Sequence, residues 1–124
     1  MSTPSETVVD ERAFPFIRLN ERERKPRRQG LTEIRGPYYT PIGHHLLDDI
    51  LDTMGNYIDA LKFAGGSFTL MPRRSLVKII DRCHQADVLV STGGFIERVL
   101  DRGPAVVDRY IAECRDCGFD IIEI

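Results

Sequence analysis

The chain has 124 residues, of which 42% are hydrophobic and 29% charged, and its formal net charge is −2. This composition is typical of one globular domain, and it lacks the basic excess expected of a nucleic-acid-binding protein. No apolar stretch approaches the roughly 20 residues that a membrane-spanning helix needs. The first residues include Glu6, Asp10 and Glu11 and no apolar core, unlike a secretory or transit signal, so we expect a cytoplasmic protein.

The N-terminal part of the chain is polar and highly charged. Residues 1–24 contain Pro and Ser, which predicts a disordered or extended segment before a folded domain at 25–124. Lys25, Arg27 and Arg28 lie in the run NERERKPRRQ and suit a localisation or anion-binding patch. Because glutamates interleave with these bases, we favour the alternative that the run is a solvated lead-in to the first strand.

The first strand-like and helix-like patterns follow this run. The sequence LTEIR at 31–35 predicts a short strand, and GPYYTP at 36–41 predicts a loop bracketed by prolines. Apolar residues from Leu46 to Met54 recur at helical spacing, and Gly55 is expected to end that helix.

The same alternation of strand and helix then repeats. The stretch YIDALKF at 57–63 predicts a second strand, and GGSFTLMP after it predicts a loop. Helical spacing over 76–83 predicts the next helix, and DVLVST at 87–92 the third strand. A glycine pair follows each of these two strands.

The C-terminal part completes the pattern. A third helical region at about 96–117 is expected to break at RGP, residues 102–104, and to end at Gly118. FDIIEI at 119–124 predicts a fourth strand. The later strands recur roughly every 30 residues, a period typical of βα units that form a parallel sheet.

Repeated βα units form either a barrel with one helix layer or a doubly wound sheet with two. A (β/α)8 TIM barrel needs about 250 residues, roughly twice this chain, and the chain stops on a strand. We therefore predict an α/β fold that is the N-terminal half of a TIM barrel, with about four βα units. We expect a fragment that lacks its C-terminal barrel half, or a half that closes with a second copy. A doubly wound nucleotide-binding domain is a weaker alternative, because no phosphate-binding fingerprint follows the first strand.

The cysteines and histidines give little support for a metal site. Three cysteines, Cys83, Cys114 and Cys117, favour free thiols in a chain without an export signal. The CRDC motif suits a redox or zinc site, but its spacing places it on a helix, and no second Cys/His pair has ligand spacing. We favour helix packing for the cysteines and solvated or capping roles for the histidines.

Candidate functional residues gather at the predicted strand ends, where barrels place their chemistry. Lysine and arginine at strand ends suit a phosphate or carboxylate, and Gly-Gly turns let backbone N–H groups approach an anionic oxygen. Two carboxylates suit a divalent cation. The set comprises Glu33, Arg35, Lys62, Gly65, Gly66, Ser67, Ser91, Thr92, Gly93, Gly94 and Glu123. It predicts a small, doubly anionic substrate with Mg²⁺.

These residues lie in stretches that resemble the phosphosulfolactate synthase family. The resemblance runs from about 25 to 124 and includes GLT at 30–32, YIDALKF at 57–63, GG-x-x-E at 93–97 and ECRDCGFDIIEI at the end. The chain is closer still to the plant heat-stress-associated relatives of that family. Those relatives share the style of KPRRQGLTEIRGPYYT, LKFAGGSFTLMP and DVLVSTG.

The resemblance implies a (β/α)8 barrel and, in the synthase branch, Mg²⁺-dependent addition of sulfite to phosphoenolpyruvate on the route to coenzyme M. It implies that Lys62 is an electrostatic clamp or the acid that protonates the product carbon, and that Glu123 serves the metal. Arg35, the turn glycines, Ser67 and Thr92 are then expected to bind substrate.

Two stretches differ from the synthase pattern. Gly36 stands where the synthases carry an aspartate after the first strand, and Glu33 is the acidic group able to replace it. The turn after Lys62 reads AGGSF rather than a GWGTS-like sequence. Two hypotheses stay open: a synthase-like lyase, and a non-catalytic heat-stress-associated relative or binding protein that keeps the barrel without the reaction.

Overall fold

A computed structural model of the chain describes residues 12–36 and 43–124. The predictions for residues 1–11, and for the GPYYTP loop beyond its first residue, lie outside these ranges. The regular elements are β1 (Glu33–Arg35), α1 (His44–Met54), β2 (Ala60–Lys62), α2 (Arg73–Gln85), β3 (Leu89–Ser91) and α3 (Pro104–Cys117). Short 3-10 turns lie between them at Gly55–Tyr57, Ser67–Leu70, Gly93–Arg98 and Leu100–Arg102. Within the described ranges, no helix is both long and apolar enough to cross a membrane.

The three strands form a parallel sheet in the order β1-β2-β3, so consecutive strands in the chain are neighbours in the sheet. The predicted fourth strand is only partly formed: one parallel bridge joins Ser91 to Ile121. Two N–H groups of this terminal segment, those of Asp120 and Ile121, donate to the Val90 carbonyl at 2.9 and 3.1 Å. The segment thus lies beside β3, at the position of a fourth strand, and pairs with it through this one bridge.

The hydrophobic core lies between one face of the sheet and the helices. Successive strand residues point to opposite faces, and Leu61 and Val90 are fully buried in this core. Leu47 of α1, Ile80 of α2 and Cys117 of α3 belong to the same cluster. These helices therefore form one layer on one face of the sheet.

The segment before β1 is tied to the sheet through Asp59, the residue just before β2. Asp59 is only 4% exposed, and its carboxylate pairs with Arg22 at 3.0 Å and Arg27 at 2.8 Å. It also accepts the N–H of Thr32 at 2.8 Å. A carboxylate buried to this degree requires compensating partners, and the N-terminal arginines supply them.

Lys25 supports the same end of the molecule. Its ammonium donates to the carbonyls of Gly55 at 2.9 Å and Ala86 at 2.7 Å, where α1 and α2 end. A cation at these positions stabilises the negative ends of two helix dipoles. The predicted solvated lead-in is therefore wrong for Lys25 and Arg27. Both cations already have partners inside the protein, so neither is free for an anion-binding patch, and Arg28 is exposed.

The end of α3 agrees with the sequence analysis. The helix starts at Pro104, after the predicted break, and ends at Gly118, whose φ of +105° is left-handed.

All three cysteines are buried and free, and burial raises the pKa of Cys83 to about 12. Protonated, buried thiols are poor nucleophiles. Among residues 12–36 and 43–124, no cluster of three or more His, Cys, Asp or Glu side chains is arranged to hold a metal ion.

Candidate functional site

Lys62 is the last residue of β2, and its position follows from the alternation of strand side chains. Leu61 points into the core and is fully buried, whereas Lys62 lies on the opposite face with its side chain 21% exposed. The parallel register places Arg35 of β1 and Ser91 of β3 on either side of Lys62. A row of polar side chains therefore crosses the carboxyl end of the sheet, on the face opposite the core residue Leu61.

Lys62 is held by Glu123 from the terminal segment. The Lys62 Nζ lies 2.7 Å from Glu123 Oε1, and the Ser91 hydroxyl donates to Glu123 Oε2 at 2.8 Å. The Gly93 N–H in turn donates to Ser91 Oγ at 3.1 Å. This network joins the ends of β2 and β3 to the terminal segment. It fixes one ammonium and one carboxylate at the carboxyl edge of the sheet.

The charges of this network hold Glu123 in its ionised form. The hydrogen bond from Lys62 is the main cause that lowers the pKa of Glu123 below its ordinary value, although partial burial opposes it. The hydrogen bond from Ser91 and the positive charges of Lys62 and Arg35 add to the lowering. Because the pKa of Glu123 is lower in the folded protein than in the unfolded chain, its ion pair stabilises the folded state at pH values above the ordinary pKa. This stabilisation is lost as pH falls through the lowered pKa.

Replacing Lys62 with methionine is expected to raise the pKa of Glu123 toward or above its ordinary value of about 4.3, because the strongest hydrogen bond to the carboxylate is lost. Titration of the carboxyl carbon signals by NMR measures this pKa. Arg35→Met is the matched control and should give a smaller shift, since Arg35 acts only through its charge. An unchanged Glu123 pKa in Lys62→Met would contradict the pairing.

Two glycines allow close packing in the turns after β2 and β3. Gly93 packs against Phe63 and Lys62, and Gly66 packs against the ring of Phe95. Gly93 has a φ of +63°, and a Cβ there would lie 2.7 Å from the Phe63 carbonyl oxygen. Gly66 has a φ of +72°, and a Cβ there would lie 2.1 Å from the ring of Phe95. Both positions need the freedom and the small volume of glycine. The turns after β2 and β3 can therefore pack closely at the site.

The other predicted residues of these turns differ in exposure. Thr92 is fully buried, and its hydroxyl donates to the Gly93 carbonyl at 2.7 Å, so it supports the turn from inside. Ser67 is half-buried and starts the 3-10 turn at Ser67–Leu70. Gly65 and Gly94 are exposed. Neither Gly65 nor Gly66 donates its N–H to another group within the described residues.

The two predicted metal-binding carboxylates occupy different parts of the sheet. Glu33 is exposed on β1 opposite Ala60, whereas Glu123 lies beyond β3. With β2 and β3 between them, the structure does not bring the two carboxylates together. Mg²⁺ is often bound by one carboxylate together with substrate oxygens and water. Glu123 fits that pattern as a single ligand, although both of its oxygens already accept hydrogen bonds from Lys62 and Ser91.

Sequence reasoning named Ser91 among the residues at the strand ends but gave it no individual role. The structure gives it one, because its hydroxyl links Glu123 to the Gly93 N–H and its side chain is fully buried. The signal was present in the pattern: Ser91 ends an apolar strand just as Lys62 does. Aligning the two strand ends in a parallel register would have made them neighbours.

Comparison with known proteins gives a consistent result. Residues 20–124 match the family model of (2R)-phospho-3-sulfolactate synthase. The chain is 43% identical over 109 residues to Protein HEAT-STRESS-ASSOCIATED 32 of Arabidopsis thaliana. This alignment covers 88% of the chain and 38% of that protein. It is 28% identical over 112 residues to the phosphosulfolactate synthase of Methanothermobacter thermautotrophicus. This alignment covers 90% of the chain and 42% of that enzyme.

The predicted resemblance is therefore confirmed. The chain spans about two fifths of the length of these two curated relatives. The family match covers nearly all the described residues, including Lys62, Ser91 and Glu123. The chain belongs to the (2R)-phospho-3-sulfolactate synthase family.

Proposed function

We propose that this chain forms the N-terminal half of a (β/α)8 barrel and carries part of a synthase-like site for the Mg²⁺-dependent addition of sulfite to phosphoenolpyruvate. Support for the barrel comes from the parallel strand order and from the three helices that share one core with the sheet. The observation that carries the function is the Lys62–Glu123 pair at the carboxyl end of the sheet.

The proposed reaction needs positive charge close to the substrate. The sulfur of sulfite attacks the methylene carbon of phosphoenolpyruvate and forms a C–S bond. The electrons of the C=C bond move toward the substrate carboxylate, and the carbon that bears the phosphate then takes a proton. The bond to the phosphate stays intact, so the product is phosphosulfolactate.

The chain's own residues supply several of the required groups. We propose that the Lys62 ammonium binds the substrate carboxylate or gives the proton, and that Glu123 orients the Lys62 side chain. Arg35 adds positive charge in the same row, and the N–H groups of Gly65 and Gly66 face no acceptor among the described residues. Mg²⁺, when bound, would stabilise negative charge on the carboxylate, with Glu123 as one ligand.

A second candidate function is a non-catalytic relative of the synthases. The higher identity to the heat-stress-associated protein favours it. Gly36 favours it too, since it has no acidic group where the synthases carry an aspartate. Gly36 is buried and donates its N–H to the Lys62 carbonyl at 2.6 Å. Glu33, three residues before Gly36 and exposed on β1, is the proposed replacement acid.

Thermal unfolding with phosphoenolpyruvate, with and without Mg²⁺, tests substrate binding. At a ligand concentration of about 100 times Kd, binding to the folded state stabilises it by about 2.7 kcal/mol, so the Tm should rise. Lys62→Met should lose this rise. Lys78→Met, at an exposed lysine of α2 remote from the strand ends, should keep it. A flat Tm in the well-folded wild-type chain would contradict the proposal.

Product analysis separates the two candidate functions. With sulfite added to this chain together with the C-terminal barrel half, a lyase should convert phosphoenolpyruvate to phosphosulfolactate, which ³¹P NMR detects as a new phosphate ester. A raised Tm without any product would favour the non-catalytic relative.

A further inference from the structure

A concave surface, here called the arginine groove, lies on the helix side of the sheet near its carboxyl end. The 3-10 turns at Gly93–Arg98 and Leu100–Arg102 form one wall, and the first part of α3 forms the other. Thr69, in the turn after β2, completes it. The volume of the groove is about 680 Å³. Small-molecule sites typically measure about 300–1,000 Å³, so this volume favours a small ligand over a macromolecule.

Three arginines line the groove: Arg98, Arg102 and Arg109. Among the described residues, none of the three forms an ion pair. Glu113 also lines the groove, but it is paired with Arg73 of α2. The groove therefore carries an excess of positive charge. Guanidinium groups bind phosphate oxygens through paired hydrogen bonds, and several of them suit a dianion better than a single charge.

The floor of the groove is apolar. The rings of Phe95 and Tyr110 have their centroids 6.0 Å apart, and Val99 and Val106 lie beside them. Binding sites for organic ligands combine such a surface with a few charged groups. An inorganic anion would use the arginines and leave this floor uncovered. The combination favours a ligand with both an apolar or aromatic body and a phosphate.

The floor also contacts the candidate site. Phe95 packs so closely on Gly66 that a Cβ at Gly66 would overlap its ring. Gly66 belongs to the turn that follows Lys62. A ligand on Phe95 would therefore contact the residue that positions this turn, while Lys62, Ser91 and Glu123 themselves do not line the groove.

We propose that the arginine groove binds a small organic phosphate that has an apolar or aromatic body, with that body on Phe95 and Tyr110 and its phosphate among Arg98, Arg102 and Arg109. This site is separate from the Lys62–Glu123 site and does not depend on the reaction proposed there.

Calorimetric titration of the whole chain with phenyl phosphate tests the proposal. Phenyl phosphate should bind at least about tenfold more tightly than either of two control compounds. Inorganic phosphate lacks the aromatic ring, and benzyl alcohol lacks the negative charge. Equal binding of phenyl phosphate and inorganic phosphate would overturn the proposed role of the aromatic floor. Absence of binding by phenyl phosphate would overturn the site.

Variants locate the bound phosphate. Arg109→Ala should weaken phenyl phosphate binding about tenfold, whereas Arg115→Ala, at an exposed arginine of the same helix outside the groove, should leave it unchanged. Arg102→Gln provides a second variant on the opposite wall if Arg109→Ala does not fold. Lys62→Met should retain binding. Equal losses in Arg109→Ala and Arg115→Ala, or a loss confined to Lys62→Met, would contradict the assignment to this groove.

Discussion

Asp59→Ala is expected to lower the free energy of unfolding by about 3–5 kcal/mol, because it leaves a buried positive charge without its partner. The side chain of Arg27 is only 8% exposed and loses its ion pair with Asp59. The Thr32 N–H loses its acceptor as well. Urea unfolding followed by circular dichroism measures the change. Asp81→Ala, at an exposed aspartate of α2 without an ion pair in the described structure, is the control and should cost less than about 1 kcal/mol.

The same carboxylate predicts a pH dependence of stability. Burial raises the pKa of Asp59, but the hydrogen bonds from Thr32 and Arg27 and the charges of Arg27 and Arg22 together outweigh burial and lower it. Because the folded pKa is depressed, the stabilisation is present above the ordinary value of about 3.9 and is lost as pH falls through the folded value. The stability of Asp59→Ala should therefore change less than that of the wild type below about pH 4. Parallel pH profiles would contradict this role.

Gly66→Ala is expected to destabilise the protein by about 3 kcal/mol, from two separate causes. A left-handed conformation costs a residue with a Cβ about 1–2 kcal/mol, and φ at Gly66 is +72°. The new Cβ would also lie 2.1 Å from the Phe95 ring, which must move. Overpacking of this kind typically costs a further 1–3 kcal/mol. Urea unfolding again measures the sum.

Gly30→Ala separates the two causes. Gly30 has a φ of +64° but no atom within 4 Å of its Cβ position, so only the conformational cost of about 1–2 kcal/mol applies. In a Phe95→Ala background, Gly66→Ala should cost no more than Gly30→Ala does in the wild type, because the overlapping ring is gone. Equal costs for Gly66→Ala and Gly30→Ala in the wild type would mean that the Phe95 contact does not constrain the turn.

Local patterns in the sequence predicted much of the fold. The parallel strands and α1 through α3 lie where alternation and helical spacing place them, and Gly118 ends α3 as expected. The sequence also placed Lys62 at the end of its strand, whereas Glu123 lies beyond the single bridge that joins the terminal segment to β3. These features depend on near neighbours in the chain, so short-range periodicity determines them.

Features that depend on distant residues were harder to predict. The carboxylate of Asp59 pairs with Arg22 and Arg27, which lie in a charged run predicted to be solvated. This pairing could not be predicted, because partners more than 30 residues apart leave no local pattern in the sequence. The Lys62–Glu123 contact required the register of the sheet, which single-strand patterns do not give. For the same reason, Glu33 and Glu123 seemed suited to one metal although two strands separate them.

The arginine groove was missed for a related reason. Arg98 and Arg102 come from turns, and Arg109 from α3, so they become neighbours only once α3 packs beside those turns. In the sequence each arginine stands near an acidic residue and resembles part of an ordinary solvated surface. Their lack of ion pairs within the described residues is visible only in three dimensions.

The most direct test of the proposed site is calorimetric titration of phosphoenolpyruvate into the wild type, Lys62→Met and Arg109→Ala. We expect saturable binding at one site in the wild type and in Arg109→Ala, and at least about tenfold weaker binding in Lys62→Met. That result would place the substrate at the Lys62–Glu123 pair and not in the arginine groove. Unchanged affinity in Lys62→Met, or no binding by the wild-type chain, would contradict the account.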